Sequence, residues 1–326
     1  MLKTDKKAKH EEVTTMMNIN GQEEYAINNP HCEILEVLID GKVVCLGRDI
    51  RVKKVKYANP YIPEGYKYVS GEWNNGFVIE RESDKSQFVW IPVGYLDGNG
   101  TLDGENFTEK LGRRNYKCVK FSKGNLEKGF YENLTEEVKV ILQSIKQYGG
   151  FYISRYHISM NSEGRLQSIK GARPLEVYCN TAKEMAESME KLKGVTSHLT
   201  YGFEYDSVME WLIKSNERTV EEVVEDSTNW GNYSNTSGSK KEILETGSLE
   251  EWKSNNLYDL AGNVDEFTQE KYWDEEEKTQ WNVLRGGCFQ DNGDQNSAFC
   301  RKISAENETK HKASFRVVLC IKEERD

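Results

Sequence analysis

Three segments near the C-terminal end constrain this chain more than any other feature: LYDLAGNVDEF at 257–267, VLRGGCF at 283–289 and SFRVVL at 314–319. The first two join apolar residues to Gly or Asn positions where the backbone must turn sharply, and the third is a short apolar strand. A chain punctuated this closely builds short strands and long loops rather than alternating βαβ units. The same pattern occurs upstream, where YKYVSGEW, NGFVIERE and QFVWIPVGYL predict three short strands separated by Gly, Asn and Ser turns.

Helical periodicity is confined to three stretches. In 134–147, Val138, Ile141, Leu142 and Ile145 share one face, with Thr135 placed to cap the first turn. The segments 175–194, ending at Gly194, and 203–216 predict two further helices, and GGFYISRYHIS at 149–159 predicts a strand. The irregular, polar stretch 217–256 is too long for a simple connection, so it is either functional or held down by neighbours. The fold class that follows is α+β with much loop.

Ahead of this region the chain is organised differently. Residues 1–25 are charged and without period, which predicts a mobile tail. Residues 26–58 contain CEILEVLIDGKVVCLG, an Asp-Gly turn between apolar runs, and predict a small β segment. NPYIPEGY marks the boundary, so the main domain is expected over 59–326. The 326 residues carry 44 basic and 54 acidic side chains, a net charge of -10, with no basic stripe able to track phosphates; nucleic acid is not an expected partner. No apolar run reaches the roughly 18 residues a membrane span requires, and the charged start lacks an apolar leader, so membrane insertion and a cleaved signal are not expected and cytoplasmic synthesis is. Seven scattered cysteines, none in a Cys-x-x-Cys pair, indicate neither a disulfide framework nor structural zinc.

Six pieces in order carry a resemblance: GGFYISRYHIS, PLEVYCNTAKEMAES, SHLTYGFEYDSVMEW with WGNY, NNLYDLAGNVDEF, VLRGGCF and SFRVVL. The set resembles the formylglycine-generating enzymes of the sulfatase-modifying factor superfamily, which implies a C-type-lectin-like α+β domain with long loops. The resemblance also implies a calcium ion at Asp259, Gly262, Val264 and Glu266, whose oxygens suit a hard cation. Physically, Asp259 and Glu266 could equally accept hydrogen bonds from turn amides while Asn263 adopts a left-handed conformation.

In that family two cysteines beyond the double glycine hold copper and activate oxygen. Counted from Gly286 and Gly287, those positions hold Asp291 and Asn296 here, while Cys288 stands at the family's Ser and Cys300 falls too late. Neither Asp nor Asn replaces a soft thiolate for cuprous copper, so copper or iron is not expected. His157 and His198 replace the Glu of a Glu-Val-Thr triplet and an Arg, and with His10, His31 and His311 they form no metal spacing. Arg285 has a structural reading, tying a loop through its planar fork, and the two glycines after it relieve crowding where backbones cross.

The leading expectation is a non-catalytic binding or structural module with no assigned catalytic residue. Its ligand face is the polar 290–312 loop, with Asp291, Asn292, Asp294, Gln295 and Asn296 meeting a glycan, peptide or protein. Similar domains serve as display scaffolds in bacteria and phages, so incorporation in a phage particle or larger assembly is part of this expectation. The alternative is a copper- or iron-dependent oxidase with rearranged ligands, drawing on Cys288 and Cys300 as a redox pair.

Overall fold

A computed structural model describes residues 60–72, 75–93, 130–131, 135–190, 192–305 and 312–322, with six short strands within the first 56 positions. The chain divides into two compact units, Met1–Tyr61 and Ile62–Asp326. In the first, β1 (Leu2–Thr4), β4 (Ile34–Ile39) and β5 (Lys42–Cys45) form one antiparallel sheet, with Ile39 opposite Lys42. There β2 (Met17–Asn18), β3 (Gly21–Glu24) and β6 (Val55–Lys56) form another. Strands β1 to β3 fall in the 1–25 stretch that composition reads as a tail. The polar 97–107 loop lies outside the described residues.

The second unit is built on a six-stranded antiparallel sheet. Its strands are β7 (Tyr66–Ser70), β8 (Val78–Arg81), β9 (Gln87–Pro92), β11 (Gly150–Ser154), β14 (Val195–Leu199) and β19 (Val317–Ile321), in the order β14-β19-β11-β9-β8-β7. The central β9 and β11 are buried at every position but Gln87, so they are continuously apolar rather than alternating. Helix α1 (Glu136–Tyr148) covers β11 and β19. Thr135 caps it by accepting the Val138 N–H at 3.3 Å, and Gly149 ends it at φ 81°.

Helix α2 (Cys179–Ser188) is shorter than the 175–194 expected. The Leu175 N–H donates to the Ile158 carbonyl at 2.8 Å and Val177 bridges Ala313, so sheet-like pairing takes the residues that periodicity assigned to the first turn. Helix α3 (Gly202–Lys214) packs against β9 and is buried nearly all round, carboxylates included. Buried carboxylates require partners. Glu204 accepts the Tyr201 N–H at 2.8 Å and meets His198 Nε2 at 2.9 Å.

A second sheet runs β10 (Phe130–Tyr131), β15 (Glu266–Asp274), β16 (Thr279–Arg285) and β17 (Lys302–Ala305), with β18 (Ser314–Phe315) parallel to β15. A small pair, β12 (Ser159–Met160) and β13 (Leu166–Gln167), completes the described strands. The irregular 217–256 stretch is held down: Arg218 donates to Ser254 Oγ at 2.8 Å and the Lys253 carbonyl at 3.2 Å, and stacks over Trp230.

Between this second sheet and α3 lies a group of buried charges. Arg285 donates to Asp206 at 2.7 Å and to the Phe299 carbonyl at 3.0 Å, over the ring of Tyr205 at 4.4 Å. Arg301 donates to Glu270 at 2.9 Å and to Asp206. Burial alone would raise the Asp206 carboxyl, but Arg301 and Arg285 outweigh it and hold the group below its ordinary range. Replacing Asp206 with alanine leaves two buried guanidiniums short of a carboxylate. It should cost about 3–5 kcal/mol in urea unfolding at pH 7; a loss below about 1 kcal/mol would show that the network does not hold the core.

Candidate functional site

The LYDLAGNVDEF turn is built by left-handed residues, Asp259 at φ 55° and Asn263 at φ 66°, around Gly262 at φ 69°. A Cβ on Gly262 would stand 2.3 Å from the Asn232 carbonyl oxygen, so only glycine allows the turn to close on the 230–233 segment. Asn263 locks that closure, its Oδ1 accepting Asn232 Nδ2 at 3.0 Å and the Leu244 N–H at 2.9 Å.

Each carboxylate of the expected calcium set meets protein donors. Asp259 accepts the Thr246 hydroxyl at 2.6 Å and the Gly247 N–H at 2.8 Å. Glu266 accepts Arg316 Nε at 2.8 Å and faces His157 Nε2 at 3.0 Å. The same Nε2 lies 3.0 Å from the Asp259 carbonyl oxygen, so the imidazole sits where these two oxygens converge. Burial opposes the charge on Glu266, but Arg316 and then His157 prevail and lower its pKa. The backbone at Gly262 and Val264 completes the turn, with the Gly262 N–H donating to the Gly286 carbonyl at 2.8 Å.

The second expected group follows the double glycine. Gly287, at φ 72°, has the Asn296 carbonyl 2.7 Å from where a Cβ would be, which is the close backbone crossing the two glycines predict. That crossing presents Cys288 and Asp291 beside Asp265, with the thiol and carboxylate atoms within 4.8 Å of one another. Lys302 Nζ binds both carboxylates, at 2.7 Å from Asp265 and 2.7 Å from Asp291. Asp291 also accepts the Cys288 N–H at 2.9 Å. Burial disfavours the Lys302 charge, yet Asp265 and Asp291 raise its pKa, so the ammonium persists. The Cys288 thiol is pushed up to about 12, first by burial and then by Asp265. With no ion beside it, such a thiol stays protonated at neutral pH and is a poor nucleophile.

Cys300 is buried, its Sγ 3.4 Å from Ser297 Oγ and 3.7 Å from the Gln295 carbonyl; neither it nor Cys288 is in a disulfide. The expected ligand loop is laid against the 227–236 segment. Ser234 donates to Asn292 Oδ1 at 2.6 Å, and the Gly293 N–H to Asn235 Oδ1 at 3.0 Å. Gln295 is exposed, and Asn292, Asp294 and Asn296 are half-exposed. Residues 306–311 of this loop lie outside the described residues. Asp265 and Lys302 complete the cluster and were not expected as site residues. Asp265 is visible in sequence only as an acidic residue where the resembling family has Trp, and Lys302 has no local signal.

Residues 207–321 match the family described as the sulfatase-modifying factor enzyme 1-like domain. Among solved structures, Treponema denticola variable protein 1 is similar at 12% identity, covering 79% of this chain and 100% of its own, with a TM-score of 0.26. No curated protein matches the chain.

The raised Cys288 pKa has a direct readout. Iodoacetamide labelling of the native protein, followed by peptide mass spectrometry, should stay slow through pH 9 and accelerate only toward about pH 12. Lys302→Met should slow it further and Asp265→Asn should speed it. Labelling with a midpoint near the ordinary thiol value, about 8.5, would refute the caged environment.

Proposed function

We propose, on the premise that residues 207–321 form a sulfatase-modifying factor enzyme 1-like domain, that this protein uses the scaffold to bind a ligand and not to catalyse oxidation. The carrying observation is the cluster beyond the double glycine. Asp291 stands where the family's first copper-holding cysteine is expected, and an ammonium, not a metal, fits between it and Asp265. Two hard carboxylates beside a single thiol do not suit cuprous copper. The neighbouring Asn292, Asp294, Gln295 and Asn296 offer amide and carboxylate groups on the surface, chemistry suited to hydroxyl-rich or polar ligands such as a glycan, a peptide or a protein. Some domains that resemble this one serve as display scaffolds for ligand recognition in bacteria and phages.

Screening the full chain on glycan and peptide arrays, beside an Asn292→Ala, Asp294→Ala, Gln295→Ala triple variant, tests the reading. Binding should fall by roughly tenfold or more in the variant, as the loss of two or three polar contacts would give. No binding at all, or binding untouched by the triple change, would count against it. Copper and iron content after anaerobic purification provides the opposing check: stoichiometric metal that disappears in Cys288→Ser/Cys300→Ser, with oxygen uptake beside a cysteine peptide, would make the protein an oxidase.

In the same reading the LYDLAGNVDEF turn needs no calcium ion. Glu266 and Asp259 already carry fixed donors, and His157 Nε2 occupies the point between the Asp259 carbonyl and Glu266. Arg316, fully buried, supplies the positive charge that Glu266 requires. We therefore assign the cation's structural work to His157 and Arg316. Melting in 5 mM calcium and in chelator should coincide; a site occupied at 100 times its Kd would add about 2.7 kcal/mol, a shift large enough to overturn the assignment.

A further inference from the structure

A second depression, about 670 Å³, shares no residue with the Asp265–Lys302 cluster. Its lining is mostly polar: Lys85, Arg155, Lys170 and Lys253 with Glu80, Asp84, Gln87 and Glu250, beside Tyr156, Tyr258 and Ile169. In a chain of net charge -10, this wall is locally cationic. Asp84 is committed to the guanidinium of Arg81, at 2.6 and 2.9 Å, and Glu80 to Lys67 and Lys85 at 3.4 and 3.7 Å. Glu250 alone meets Lys170 at 2.6 Å and Lys253 at 3.0 Å, and it also accepts the Tyr258 hydroxyl at 2.7 Å. Two ammonium groups therefore share one carboxylate. The Lys170 contact, then the Tyr258 hydroxyl, pull the Glu250 carboxyl down to about 2, so the arrangement is fully charged at neutral pH.

Arg155 is different again. Its Nε donates to the Asn256 carbonyl at 2.9 Å, one terminal nitrogen to Gln87 Oε1 at 2.9 Å, and the other to Asn256 Oδ1 at 3.3 Å. All three acceptors are neutral, and no carboxylate among the described residues neutralises the charge. Of five N–H groups, one remains on each terminal nitrogen. The guanidinium lies 5.5 and 5.4 Å from the centroids of the stacked Tyr156 and Tyr258 rings, themselves 5.1 Å apart, and its three hydrogen bonds set its orientation. A planar fork with spare donors, held rigid beside two under-neutralised lysines, is a grip for an oxyanion.

We propose that this depression binds a small acidic sugar. Its carboxylate, sulfate or phosphate group sits on Arg155, Lys170 and Lys253, and its hydroxyls donate to the remaining lone pairs of Glu80 and Glu250. The volume lies within the range of small-ligand sites and holds one or two sugar rings. The charged and amide side chains supply partners for hydroxyl groups, and the Tyr156 and Tyr258 rings offer apolar faces of the kind a sugar ring covers, a mixture that favours a polyhydroxylated ligand over a lipid.

Titration calorimetry on the full chain at low salt tests this with glucuronate, glucose 6-sulfate, glucose 6-phosphate, glucose and inorganic sulfate. At least one anionic sugar should bind with Kd below about 1 mM, and the tightest of the three identifies the oxyanion. Glucose and inorganic sulfate should each bind at least about tenfold more weakly. Lys170→Gln/Lys253→Gln, at surface positions, should weaken binding about tenfold with melting unchanged, and Arg155→Lys should not retain the wild-type affinity. The proposal is overturned if no anionic sugar binds, if glucose or sulfate alone binds as tightly, or if the double lysine variant keeps full affinity. The Asn292/Asp294/Gln295 triple variant should bind these sugars normally, which separates this site from the loop face.

Discussion

The fold depends on guanidinium groups placed inside it with their carboxylates. Arg285, Arg301 and Arg316 are buried, and Asp206, Glu270 and Glu266 are buried against them. Each pair joins distant parts of the chain: α3 to the end of β16, β15 to the residue before β17, and the start of β15 to the approach to β19. A domain with this much irregular backbone cannot rely on long ladders of strand hydrogen bonds to fix its register. Directional, charge-assisted bonds in a dry interior do that instead, because a misplaced loop would leave a charge unpaired. Arg316 makes the point most fully, donating to Glu266 and to the carbonyls of Ser154, Arg155 and Tyr258, so one side chain gathers three segments.

Much of this was legible because its causes are local. The Thr135 cap, the four apolar positions of α1 and the short strands before residue 93 are written in neighbouring residues. The glycine arguments also survive folding, since a Cβ at Gly262 or Gly287 would stand 2.3 or 2.7 Å from a backbone carbonyl oxygen. The start of α2 was not legible. Leu175 and Val177 read as helix formers, but their backbone is taken by Ile158 and Ala313, partners that periodicity cannot see. Lys302 was invisible for the same reason: one lysine among 44 basic residues acquires meaning only when β17 carries it between Asp265 and Asp291.

The position of a residue in a motif is a guide to geometry. The turn, the double glycine and the final strand converge as their order predicts, and they bring Cys288, Asp291 and Asp265 together. The charge state there is set by these side chains acting jointly with Lys302. Carboxylates at 265 and 291 raise the pKa of Lys302, and burial with the Asp265 charge raises that of the thiol. With no ion bound, the cluster thus favours a protonated sulfur beside an ammonium.

Donor capacity then distinguishes the two polar regions of the domain. The Lys302 ammonium has three N–H groups and contacts three carboxylate oxygens, two on Asp265 and one on Asp291. It is closed, and its effect is to stiffen the base of the loop that carries Asn292, Asp294, Gln295 and Asn296. The Arg155 guanidinium has five N–H groups and three neutral acceptors, and these bonds hold it beside the Tyr156 and Tyr258 rings. One cation is consumed in holding the scaffold and the other is held by it, so charge alone does not mark a binding site; an unfilled donor on a rigid support does.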